Sequence, residues 1–209
     1  PKFHLRIRFQ LKDCYAPFKF VEELKLFLRD IISISQIVIV EFFPEINRYG
    51  GEKYSPIVYN YFCEESNLIA ELNKKKYSEV EYLNIIFYVF DMLSDVFQIK
   101  EEKLIRVLQE LHEHRTFETV RNNLKKMLNT RKCYRFHAEL KIAIGKLMKY
   151  AKNIEGEPEK IMTSMFHMLI KRLSIFEIPS EQEIYALYEK ILIRRKAMQQ
   201  DGQYEISKN

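Results

Sequence analysis

Apolar and basic side chains alternate at the start of the chain, with Phe3, Leu5, Ile7 and Phe9 interleaving His4, Arg6 and Arg8. A period of two belongs to a strand, whose successive side chains point to opposite faces. The pattern therefore predicts a strand over about residues 3–10 with its three basic side chains on one face. The period then lengthens. Ala16-Pro17 opens an amphipathic helix from about Phe18 to Ile32, with Phe20, Leu24, Phe27 and Leu28 as its inner stripe. A second strand is predicted over 36–43, where Ile37-Val-Ile-Val40 is apolar on both faces and so covered on both, and Pro44 ends it. Strand, crossover helix and strand in that order make a small N-terminal β-sheet.

After Ser55 the three- and four-residue period of helices takes over, predicting helices over about 56–72, 78–98, 101–112, 117–129, 134–152, 158–174 and 180–199. Local signals mark several starts. Ser78 with Glu81 and Ser180 with Glu183 form capping-box patterns, and Glu157-Pro158-Glu159 supplies a proline and acids for a first turn. The expected class is α+β, a small N-terminal sheet followed by a mainly helical body. The expected organisation is one domain over 1–209, part of a longer polypeptide with further strands upstream of Pro1, ending in a frayed tail over 201–209.

With 209 residues, 47% of them hydrophobic, the chain can bury one sizeable core or a large domain with a small annex. Its longest apolar runs, such as Ile85-Ile-Phe-Tyr-Val-Phe90, are too short to span a bilayer, and no signal peptide is evident, which makes the cytoplasm the expected location. Cys14, Cys63 and Cys133 are odd in number and scattered, which suggests neither a disulfide framework nor a thiolate zinc site. A formal charge of +5, from 34 Lys and Arg against 29 Asp and Glu, is a mild bias and not that of a dedicated nucleic-acid domain.

The candidate chemistry lies in two motifs, the basic strand and Glu45-Ile-Asn-Arg48-Tyr-Gly-Gly51, about forty residues on. Arg6, Arg8 and Arg48 are donors suited to an anion, because a guanidinium meets a carboxylate or phosphate through paired hydrogen bonds. The plainer readings are a solvated face for the arginines and a structural turn in which Glu45 pairs locally with Arg48. His112-Glu-His114 looks like a metal pair, but residues two apart on a helix point in different directions, and no metal is assigned. Lys74-Lys-Lys76 and Arg194-Arg-Lys196 fit helix ends, where cations complement the macrodipole.

HLRIRF, then PEINRYGG, then a helix with Phe62-Cys-Glu-Glu-Ser66, then Phe166-His167-Met168 running to Lys171-Arg172, in that order, resembles the C-terminal elimination domain of lantibiotic dehydratases. The same domain occurs in thiopeptide-type bacteriocin biosynthesis proteins, and the likeness spans nearly the whole chain. The family usually carries Asp-Ser where this chain has Glu65-Ser66, and Asn-Arg where it has Lys171-Arg172.

The resemblance implies elimination of glutamate from glutamylated Ser and Thr of a ribosomally made precursor peptide, giving dehydroalanine or dehydrobutyrine. Glutamyl-tRNA would enter only through a separate glutamylation domain or protein, and homodimers are common in the family. Elimination needs a base for the α-proton, stabilisation of an enolate-like oxygen and a seat for the departing glutamate; it requires no cofactor. His167 matches the family's histidine and is the expected acid/base; by itself it would read as a semi-buried side chain. Arg8 and Arg48 complete the expected catalytic set, with Arg6, Glu45 and Arg172 binding substrate. The rival readings are a pyridine synthase-like cyclase on the same scaffold and a non-catalytic module that binds the precursor peptide.

Overall fold

Glycine, proline and capping residues set the element boundaries in the computed structural model, which describes residues 17–29, 45–75, 77–113, 138–174, 176 and 178–200. The chain divides into two compact units, Pro1–Pro44 and Glu45–Asn209. In the first, helix α1 (Pro17–Leu28) keeps Phe20, Leu24 and Leu28 half-buried, whereas Phe27, predicted on the inner stripe, is exposed.

The second unit is built from helices alone among its described residues. A short 3-10 turn (Ile46–Tyr49) leads into α2 (Ser55–Asn73), followed by α3 (Glu79–Val96), α4 (Glu101–Leu111), α5 (Ala138–Lys149), α6 (Pro158–Leu173) and α7 (Glu181–Gln200). The predicted caps form. Ser78 and Glu81 close a reciprocal capping box at the start of α3, Pro158 opens α6, and Ser180 and Glu183 exchange the same bonds before α7.

These observations correct the fold class. No strand occurs among the described residues, and the body is all-helical rather than α+β. The physical reason is that its core closes by helix packing, each amphipathic stripe covering another, with no need of a sheet. The two predicted strands, 3–10 and 36–43, the helix predicted over 117–129 and the tail over 201–209 lie outside the described residues.

Helix α3 is buried over more than half of its circumference, with Leu83, Ile86, Phe90 and Leu93 on one stripe and Ile85 and Val89 beside it, and its polar face carries Asn84, Asp91 and Asp95. It packs against α5 and α6, while α2 covers α5 and α6, and α4 lies along α7. Stacked rings tie the layers: Phe90 lies on Phe166 of α6 with centroids 3.7 Å apart, and Phe87 on Tyr188 of α7 at 5.0 Å. Among the described residues no helix is long and apolar enough to cross a membrane.

Candidate functional site

The turn that carries Arg48 is held by glycine. Gly50 and Gly51 both adopt left-handed backbone, with φ of 89° and 87°, and the Gly51 N–H donates to the Ile46 carbonyl at 3.0 Å. The Gly50 carbonyl accepts from the Glu155 N–H at 2.9 Å, which ties the turn to the segment entering α6. A Cβ on Gly50 would stand 2.7 Å from Cδ1 of the fully buried Tyr54, a ring that cannot move aside. Gly50→Ala is therefore expected to cost about 2–4 kcal/mol, from left-handed strain plus overpacking. Gly145→Ala, on an exposed helical site with nothing within 4 Å of its added Cβ, should instead stabilise by about 0.5–1 kcal/mol. Guanidinium unfolding of the two variants checks the contrast.

Tyr49 anchors the turn from below, edge-on to Tyr59 and Phe62 at 5.7 and 5.2 Å. This leaves Arg48 half-exposed on top. Its Nε donates to Ser164 Oγ of α6 at 3.3 Å, and one terminal nitrogen donates to Glu45 Oε1 at 3.2 Å. The Glu45 N–H donates to the Tyr59 hydroxyl at 2.9 Å, which fixes the start of the turn on α2.

Ser164, His167 and Lys171 succeed one another at steps of three and four along α6 and so share one face. Arg48 touches the first of them, one helical turn from His167. The His167 ring, partly exposed, places Nδ1 at 2.9 and 3.1 Å from the two carboxylate oxygens of Glu181, the first residue of α7. The Tyr185 hydroxyl donates to Glu181 Oε1 at 2.8 Å, and Lys171 Nζ stands 3.8 Å from Oε2. Burial, reinforced by the Glu181 charge, pushes the Tyr185 phenol far above its ordinary range, so it remains a donor.

Arg172 is not part of this group. Five residues beyond His167, it lies about 140° further round the helix. Its guanidinium sits over the Phe62 ring, 4.5 Å from the centroid, and pairs with Glu65, whose side chain is completely buried in α2. The Tyr61 hydroxyl donates to Glu65 Oε1 at 2.8 Å. Burial pushes the Glu65 carboxyl up, while Arg172 and the hydrogen bonds pull it down. Arg6 and Arg8 lie outside the described residues. Thus Arg48, Glu45 and His167 border one surface, and Arg172 faces the interior between α2 and α6.

Ser164, Glu181 and Tyr185 went unnoticed in the sequence. Helical spacing could have found Ser164, one turn before His167, and the Ser180 cap already put an acid at the start of α7. His112 ends α4 with Nε2 3.3 Å from Glu189 Oε2, while His114 lies outside the described residues. Among the described residues no three His, Cys, Asp or Glu side chains are gathered as a metal site would require.

A helical body that sets a glycine-held basic turn beside a carboxylate-backed histidine is thus the frame on which the sequence motifs sit. The chain belongs to the lantibiotic biosynthesis dehydratase C-terminal family, which it matches over residues 1–192. A relative is the epidermin biosynthesis protein EpiB of Staphylococcus epidermidis, 28% identical over 165 residues. That match covers 71% of this chain and 16% of EpiB, so the chain spans a small part of the relative's length. No solved structure matches the chain.

Proposed function

We propose that this domain removes glutamate from glutamylated Ser and Thr side chains of a precursor peptide, a lyase step within a dehydratase. The observation that carries the reading is the shared face of α6: Arg48 rests on Ser164, one turn from His167. Nε2 of His167 takes the α-proton of the esterified residue, and the developing charge on its carbonyl oxygen is met by nearby cations. The electron pair left on Cα forms the Cα–Cβ double bond as the Cβ–O bond breaks, and glutamate departs as its carboxylate. Arg48 would clamp the γ-carboxylate of the glutamyl group while Glu45 pairs with its amine.

The test is to incubate the protein with a synthetic peptide carrying one glutamyl-serine ester and weigh the product. Elimination leaves dehydroalanine; hydrolysis leaves serine. His167→Ala should slow glutamate loss by about 10²–10⁴-fold, the usual reach of a positioned acid/base group. Arg48→Ala should leave glutamylated peptide accumulating. Full activity in His167→Ala, or peptide that merely co-migrates unchanged with the intact protein, would refute the lyase reading.

A further inference from the structure

We propose that Glu181 is the positioning residue of His167, accepting a hydrogen bond from Nδ1–H and so assigning proton transfer to Nε2. The inference rests on the elimination reading for what Nε2 does, but not for how the ring is held. Both carboxylate oxygens of Glu181 lie within 3.1 Å of Nδ1. A carboxylate only accepts hydrogen bonds, so the neutral ring must carry its proton on Nδ1 to satisfy this contact, leaving a lone pair on Nε2. The reverse tautomer would set two acceptors against each other.

The carboxylate is itself held from three directions. Tyr185, one turn along α7, donates to Oε1 at 2.8 Å, and its buried phenol stays protonated for the reason given above. Lys171 approaches Oε2 at 3.8 Å. The third is the backbone: Glu181 is the first residue of α7, where the unpaired N–H groups of a 20-residue helix favour negative charge. The adjoining Ser180–Glu183 cap fixes the direction in which the chain enters the helix. A carboxylate so restrained orients an imidazole and stabilises the imidazolium formed when Nε2 takes a proton, as the acid of a Ser-His-Asp triad does.

Long-range ¹H–¹⁵N correlation of the histidine ring nitrogens in the full chain tests the assignment without any substrate. The expected result is the Nδ1–H tautomer for neutral His167, lost in Glu181→Ala in favour of Nε2–H. Glu181→Gln and Glu181→Asp guard against simple unfolding. Gln keeps the shape and Asp the charge, so the glutamate-release kcat should fall at least about tenfold in Gln, recover in part in Asp, and leave KM little changed in both. Nε2–H in the wild-type ring, or an unchanged tautomer in Glu181→Ala, would overturn the proposal. Nδ1–H in a wild-type protein that releases no glutamate would refute the elimination reading alone and leave the positioning role standing.

Discussion

Replacing Arg172 by methionine is expected to destabilise the helical body by about 3–5 kcal/mol, because it strands the carboxylate of Glu65 in the interior without its cation. Glu65 has no exposed side-chain area, and the remaining neutral donor, the Tyr61 hydroxyl, cannot replace a guanidinium. The ring of Phe62 also loses the cation over its face. The loss should depend on pH in a definite direction. Burial already raises the Glu65 carboxyl and Arg172 opposes the rise, so removing Arg172 lifts the folded-state value further above that of the unfolded chain. Over the interval between those two values the native state holds a proton that the unfolded state has released. Stability then falls as pH rises, and the variant should suffer less at pH 4 than at pH 7. Glu65→Leu combined with Arg172→Met removes both charges but leaves the buried Tyr61 hydroxyl without its acceptor, so the apolar pair should recover only part of the loss. Denaturant midpoints for the three proteins at both pH values measure all of this; a loss under about 1 kcal/mol, the same at both, would mean the pair is not buried as described.

The same residue shows where legibility in the sequence stopped. Helices repeat locally, so the apolar period and the Ser78, Pro158 and Ser180 starts located α2, α3, α6 and α7 to within about two residues. The glycine turn was equally readable, because left-handed backbone at Gly50 and Gly51 is a local requirement. Partners distant in the chain were not. Arg172 finds Glu65 across 107 positions and Arg48 finds Ser164 across 116, and no local rule chooses them. Yet the split between His167 and Arg172 was available in advance, since five residues of helix must turn them to different faces. Motif order had grouped them because it ignores that rotation. The α+β expectation had another origin: it extended a sheet predicted in 3–43 to the class of the whole, while the described body closes on helices alone.

Phe166→Ala is expected to cost about 3–5 kcal/mol, a large share of the ~5–15 kcal/mol that holds a typical domain folded. Phe166 is fully buried and stacks on Phe90 with planes 13° apart. Phe90 in turn meets Tyr185 at 6.3 Å and Tyr188 at 5.3 Å, so one cluster of rings joins α3, α6 and α7. Truncation opens a cavity among large, rigid neighbours that cannot collapse to fill it. Phe166→Leu, which keeps most of the volume, should cost only about 1–2 kcal/mol, and Ile142→Ala, at a side chain 60% exposed, within about 0.5 kcal/mol. The cluster matters beyond stability because Tyr185, its ring 26° from parallel to Phe90, also donates to Glu181 from its hydroxyl. Packing around Phe90 thus sets where the carboxylate behind His167 can sit. Chemical denaturation ranks the three variants, and ring ¹⁵N shifts of His167 in Phe166→Leu report whether a looser stack reaches the imidazole. If Phe166→Ala were as mild as Ile142→Ala, the face of α6 assigned to the core would be wrong, and with it the outward placement of His167 one residue later.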